Sequence, residues 1–276
     1  MKKFKQFKEA LSMELREHRS TFAVYIFLRI SVLLIMCLQI YNHNWENLFY
    51  CVLTLILLIV PSLVQMTFKI ELPKLLEIII LIFIFAAEIL GELDNYYLRF
   101  DNWDTMLHTM NGFLAAAIGY SLVELLNDMP NVKFNLSPLF IAIVAFSFSM
   151  TIGVIWEFFE FSLDTFLQMD TQKDTIIHSI HSVSINMDGT MRSFNDINNV
   201  MINNTPLGIE GYLDIGLIDT MEDLFVNFIG AFIFSIFGFF YSKNKGKKNF
   251  ASLFIPTKKK EDKDYLNIVQ TNKDLD

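Results

Sequence analysis

The stretch Leu136–Glu160, LSPLFIAIVAFSFSMTIGVIWEFFE, decides the fold. From Leu136 to Trp156 it contains no Asp, Glu, Lys or Arg. A helix needs roughly 20 apolar residues to cross a bilayer core, so this run reads as a membrane span. Working outward, comparable blocks recur at about Phe22–Ile40, Asn47–Phe68, Leu75–Glu92, Trp103–Leu126 and Asp219–Tyr241. The block at Leu75–Glu92 is the least clean, because Glu88 interrupts it. Pro61 should bend the block at Asn47–Phe68. The expected fold class is all-α: a polytopic integral membrane protein with six transmembrane helices. Composition agrees, since 53% of the 276 residues are hydrophobic, 28 of them Phe. That is too apolar for an ordinary soluble domain and excludes disorder over most of the chain.

Charge sets the organisation. Residues 1–20 form a basic arm suited to an amphipathic helix on the membrane surface. No small-residue cleavage site follows a short apolar core, so the first span is expected to stay as an anchor. Residues 21–241 are the membrane domain, and 242–276 read as a charged tail of poor order. Six Lys and Arg lie in the arm, Lys69 and Lys74 in one loop, Lys133 in another, and nine Lys in the tail. These segments alternate so as to share one face, which the positive-inside rule makes the cytoplasm. Both termini are then cytoplasmic, in a bacterial plasma membrane. The opposite loops carry only Arg99, Lys173 and Arg192. The long connection 161–218 is extracytoplasmic. Its stretch Ser182–Phe194, SVSINMDGTMRSF, alternates around Asp188-Gly189, which signals a small β-hairpin cap with a two-residue turn. The net charge of −8, with basic clusters only near the ends, argues against nucleic acid as a partner. The partner is the lipid bilayer. Cys37 and Cys51 are too few for a disulfide framework and read as small hydrophobes.

Ionisable residues inside spans are costly, and here they are not scattered. They gather at the outer ends of four helices: Glu88 and Glu92, Asp104 and His108, Glu157 and Glu160, and Asp219 with Asp223 and Asn227. The pairs are three or four residues apart, so each shares one helix face. Several carboxylates and one imidazole without Lys or Arg cannot all remain ionised unless a proton or a cation intervenes. An oxygen-rich set with one His suits Mg, Mn, Ca or Zn, without choosing among them. Asp104, His108, Glu157, Glu160, Asp219 and Asp223 are the candidate metal ligands or acid–base groups, with Glu88, Glu92 and Asn227 in support. Plainer roles exist. Asp101, Asp219 and Glu222 suit a helix N-terminus as capping acids, and Glu88 suits a bond to a neighbouring helix. Glu157 and Glu160 fall at the expected C-terminus of their helix, where the dipole disfavours acids. His178 and His181 lie in a loop. Gly112, Gly119, Gly230 and Gly238 suit close helix contact.

The blocks Trp103-Asp104-x-x-x-His108-x-x-x-Gly112, Trp156-Glu157-x-x-Glu160 and Asp219-x-x-x-Asp223-x-x-x-Asn227-x-x-Gly230 together resemble the YjdF-type family of bacterial inner-membrane proteins. More distantly, they are similar to the VanZ-like family. The resemblance covers roughly residues 75–240. Thr105 stands where the VanZ-like pattern has Lys, and the Arg before its final Asp helix has no near counterpart here. The resemblance implies a plasma-membrane protein linked to the cell envelope and to glycopeptide susceptibility, and it carries no assigned reaction. Three functions follow as expectations: a metal-assisted enzyme acting on an envelope or lipid-linked substrate, a cation- or proton-coupled transporter or flippase, and a non-catalytic adaptor or resistance factor.

Overall fold

The computed structural model describes residues 2–127, 136–244 and 253–272. Lys133 and the rest of the loop at 128–135 lie outside the described residues, as do the tail lysines 245, 247, 248 and 273. The chain is an all-α membrane protein with small strand pairs. Among the described residues, five helical stretches are long and apolar enough to cross a membrane: Arg19–Tyr41, Trp45–Phe68, Trp103–Leu126, Pro138–Leu167 and Leu217–Lys243. The chain divides into two compact units, residues 1–153 with 226–276, and residues 154–225.

The first unit begins with α1 (Lys2–Leu15) and α2 (Arg19–Tyr41). The second apolar block is two helices, α3 (Trp45–Leu57) and α4 (Val60–Phe68). Pro61 sits in the first turn of α4, where its missing N–H removes no helical bond. The third block falls short of the five spans. It is α5 (Lys74–Phe85) running into a π-helical segment, Ala86–Leu93, that holds both Glu88 and Glu92. Such wide turns are rare and cluster at functional sites. A short α6 (Tyr96–Arg99) leads to α7 (Trp103–Asn127). Then come α8 (Pro138–Leu167) and α9 (Leu217–Lys243), of which 138–153 and 226–243 belong to this unit.

Small residues let these helices pack closely. Ala116, Ala117, Ala145 and Ala231 surround the fully buried Tyr120 and Phe234, and Phe113 meets Phe234 edge to face at 5.1 Å. A second cluster joins Tyr25, Leu28, Leu58, Leu81 and Ile84. Phe27, Leu34, Ile143 and Phe232 face outward. Lipid tails are as apolar as these side chains, so this exposure carries no penalty in a bilayer. Arg29 reaches Tyr25, its Nη1 donating to the hydroxyl at 2.8 Å.

Part of the C-terminal tail is folded, which corrects the expectation of poor order. Strand β8 (Thr257–Lys258) pairs antiparallel with β1 (Ile70–Glu71), and α10 (Tyr265–Asn272) packs on α1. Ala10, Met66 and Val269 form the buried contact there. Lys259 and Lys263, which look solvated in the sequence, have acidic partners far away along the chain, and these pairs fix the tail.

The second unit holds the end of α8, the start of α9 and the connection between them. Three antiparallel pairs form: β2 (Thr175–Ile177) with β7 (Tyr212–Asp214), β3 (Ile180–Ser182) with β4 (Arg192–Phe194), and β5 (Met201–Ile202) with β6 (Thr205–Pro206). The expected hairpin exists as β3–β4, but residues 183–191 link its strands instead of a two-residue turn. Asp188 accepts from the Thr190 amide at 2.9 Å and its hydroxyl at 2.6 Å, which holds the exposed carboxyl below its ordinary range. That local bond competes with strand pairing. The true two-residue turn is Asn203-Asn204, with φ of 51° and 65°. Asn tolerates this left-handed region, as a type I′ turn requires.

Asp164 fastens the connection to α8. Its carboxylate accepts from the Thr171 amide at 2.7 Å, the Thr171 hydroxyl at 2.6 Å and the Gln172 amide at 2.9 Å. At about 1 kcal/mol per bond, Asp164→Ala should loosen this segment by about 2–3 kcal/mol. Protease cleavage near 168–173 should speed up while the spans stay intact. Unchanged cleavage would show that the contact does not hold the loop.

Candidate functional site

In the first unit, α7 presents Asp104 and His108 one turn apart. Asp104 Oδ1 lies 3.4 Å from His108 Nε2, and the imidazole is buried. The next turn down α7 is a polar packing node. Asn111 Nδ2 donates to Asn227 Oδ1 of α9 at 3.1 Å, and Ser149 of α8 donates its hydroxyl to the Gly112 carbonyl at 2.7 Å. Asn227 is 1% exposed and also packs against Gly153 of α8. Its position ties three helices together, so its part is structural support. Glycine makes this possible: a Cβ at Gly112 would collide with the Asn227 carbonyl oxygen, and one at Gly230 with that of Thr109.

In the second unit, Glu157 and Glu160 on α8 and Asp223 on α9 converge. One carboxylate oxygen from each lies within 4.8 Å of the other two. Glu157 is 4% exposed and Asp223 3%. Trp156 Nε1 donates to Glu160 Oε1 at 2.7 Å, which fixes that carboxylate's direction. Helix α8 continues to Leu167, so Glu157 and Glu160 lie inside it and not at its C-terminus. The helix-dipole reason for singling them out therefore fails, and their convergence with Asp223 replaces it. At α9 the capping acid is Asp214, whose Oδ2 accepts the Ile218 amide at 2.8 Å. Asp219 Oδ2 instead accepts the Lys173 amide at 2.8 Å, and Gln172 Nε2 donates to the Thr220 hydroxyl at 2.6 Å. These bonds fasten the connection to the start of α9.

The remaining candidates fall elsewhere. Glu88 is buried in the π-helical segment, and Tyr50 on α3 hydrogen-bonds Glu92. Among the described residues, neither acid joins a group of three or more ligand-type side chains, and nor does Asp219. His178 Nδ1 lies 3.2 Å from the Ile197 carbonyl, and His181 Nδ1 2.8 Å from the Ser193 hydroxyl. Both imidazoles serve the loop. Cys37 and Cys51 are free thiols, the second buried. Sequence reasoning missed Asn111, Ser149 and Asp214, and placed Asp164 after the fifth span's acids without a role. Asp164 and Asp214 flank the long connection as acids at helix ends, a signal that was present; Asn111 and Ser149 show no local signal.

Fold and site define a multi-pass integral membrane protein with clustered His, Asp and Glu side chains able to coordinate a metal. The chain belongs to the family described as "Predicted membrane protein (DUF2238)", an uncharacterised family whose profile matches residues 23–244. That match includes all of the carboxylates above and both members of the Asp104–His108 pair. No curated protein and no solved structure matches the chain.

Proposed function

We propose that this protein is a metal-assisted enzyme of the bacterial plasma membrane, acting on a cell-envelope or lipid-linked substrate. The observation that carries the reading is the convergence of Glu157, Glu160 and Asp223, two of them buried, within 4.8 Å. Three carboxylates so close and so poorly hydrated repel one another, and a divalent cation is the simplest neutraliser. When bound, the cation supplies charge neutralisation and Lewis acidity toward a substrate oxygen. Asp104 and His108 join the assignment on sequence spacing. Asp104 orients the imidazole, which then holds or moves a proton as general acid or base. Asp219 is assigned to fastening the extracytoplasmic connection, with the strand pairs as its cap. Glu88 and Glu92 support the helix that carries them.

The topology belongs to the same proposal. Helix α10 packs on α1, so both ends of the chain share one side, which favours an even number of crossings. The continuous helical run from Lys74 to Leu93 supplies the sixth. The lysine distribution makes the shared side cytoplasmic, which directs the acidic helix ends outward. The relation to the YjdF-type and VanZ-like families is part of this reading and rests on the three sequence blocks.

Metal content of the purified chain tests it. The expected result is stoichiometric divalent metal, lost on Glu157→Gln or Asp223→Asn. Ala at Asp104, His108 or Asp223 should abolish function in cells while membrane insertion persists. Metal-free protein, with stability unchanged on replacing both Asp104 and Glu157, would overturn the reading in favour of an adaptor.

A further inference from the structure

The C-terminal segment does more than lie beside the membrane domain. Ile255 is 2% exposed and belongs to the same core as Tyr120 and Phe234. Phe254 meets Phe113 of α7 edge to face at 5.3 Å. It forms one wall of an apolar crevice of about 250 Å³ whose other walls include Ile79 of α5, Thr109 and Met110 of α7, and Gly230 of α9. Two side chains from residues 253–272 are thus wedged among three membrane helices.

Beside these apolar contacts and the buried Ala10–Met66–Val269 cluster, the wedge is tied down by charge. Its strand is two residues long and its helix eight. Lys259 pairs with Glu14 of α1, with side chains 3% and 2% exposed. Lys263 pairs with Glu17 at 2.9 Å and with Glu71 at 2.6 Å, and both acids hold the ammonium above its ordinary value, Glu71 foremost. Asp264 pairs with Lys69 at 2.8 Å, and the Tyr265 hydroxyl donates to Glu17. The Lys259 amide donates to the Lys69 carbonyl at 2.9 Å. A buried ion pair holds less firmly than apolar residues of the same volume would, and its best-attested use is to fix register or to switch. An apolar residue at 259 would serve a permanent anchor better.

We infer that residues 253–272 form a releasable strap, latched by Lys259–Glu14 and the Lys263 pairs, whose Phe254 walls one side of the crevice between α5, α7 and α9 while Ile255 sits in the core beside Tyr120. When the latch opens, the strap leaves as one piece and the crevice becomes reachable from the end of the domain that carries both termini. The strap is independent of the carboxylate site, and its test uses no activity.

Hydrogen exchange on the full chain in lipid nanodiscs reads the release. In the wild type, amides of 257–271 should exchange together and faster than those of α7 and α9. Lys259→Met leaves Glu14 buried without its cation, and exchange in the strap should rise by roughly a hundredfold, with α7 unchanged. In the same variant, Ile79→Cys should react with a water-soluble maleimide about tenfold faster than in the wild-type strap background. Adding Glu14→Gln removes the second buried charge and should restore both readouts. Should Lys259→Met fail to accumulate, Lys263→Met should move both readouts in the same direction by less. Strap amides that exchange with α7 in every variant would overturn the inference. So would Ile79→Cys labelling that is indifferent to Lys259→Met.

Discussion

Chelating divalent metal should lower the melting temperature of the wild-type chain by about 5–10 °C at neutral pH. A ligand present at a hundred times its dissociation constant stabilises by about 2.7 kcal/mol. Each kcal/mol shifts the midpoint by about 2–4 °C in a chain somewhat smaller than this. The sign in the variants is more telling than the size. With metal present, Glu157→Gln loses a ligand and should melt below the wild type. With metal removed, the wild type keeps Glu157, Glu160 and Asp223 within 4.8 Å of one another, and Glu157→Gln has one charge fewer there. The order should then reverse, since an uncompensated buried charge costs about 3–5 kcal/mol. Acid should erase the difference, because protons compete with the cation for the same oxygens. Differential scanning measurements on four samples, two proteins with and without chelator, decide the matter. Parallel shifts without a crossing would show that the three carboxylates do not share a cation.

Which parts of this were legible in the sequence depends on how local the cause is. Length and apolarity are local, so the charge-free run at Leu136–Trp156 marks its helix without help. The run at 74–93 is also helical, yet its Glu77, Glu88 and Glu92 and its π-helical turn set it apart from the five clear spans. Residue spacing showed which acids share a face, and Glu157 and Glu160 do meet Asp223. Their supposed position at a helix end was wrong, because α8 runs two turns further and Phe161, Phe166 and Leu167 gave no stop signal. The capping role at α9 went to Asp219 in the sequence and to Asp214 in the structure, a difference of one turn that periodicity cannot fix. The strap was invisible for a different reason. Lys259 looks like any solvated lysine until Glu14, almost the whole chain away, stands beside it. Long-range ion pairs leave no local trace, and neither does the Asn111–Asn227 bond.

Placing alanine at Gly112 or Gly230 should cost more stability than placing it at Gly238, although all three lie inside helices. On propensity alone each change should help, by about 1 kcal/mol. The neighbours decide otherwise. A Cβ at Gly112 meets the carbonyl oxygen of Asn227, with the Ala231 amide nitrogen 3.0 Å away. A Cβ at Gly230 meets the carbonyl oxygen of Thr109, with the Phe113 nitrogen 2.9 Å away. The two contacts are reciprocal, each glycine of one helix lying on the backbone of the other. Backbone cannot rotate aside, so α7 and α9 must separate. Separation stretches the Asn111–Asn227 bond at 3.1 Å and loosens the Phe113–Phe234 contact. At Gly238 the Cβ meets ring carbons of Tyr120 at 2.8 and 3.0 Å, a side chain that can give where backbone cannot. Overpacking costs about 1–3 kcal/mol where side chains yield, and more where they cannot. Gly112→Ala and Gly230→Ala should therefore each lose about 3 kcal/mol or more, against about 1 kcal/mol for Gly238→Ala. The double variant Gly112→Ala/Gly230→Ala should cost less than the sum of its parts, because one separation of the helices relieves both clashes. Melting curves of the wild type and the four variants in one detergent measure this. If Gly112→Ala proved as stable as Gly238→Ala, the close α7–α9 crossing, and with it the support beneath His108, would not exist.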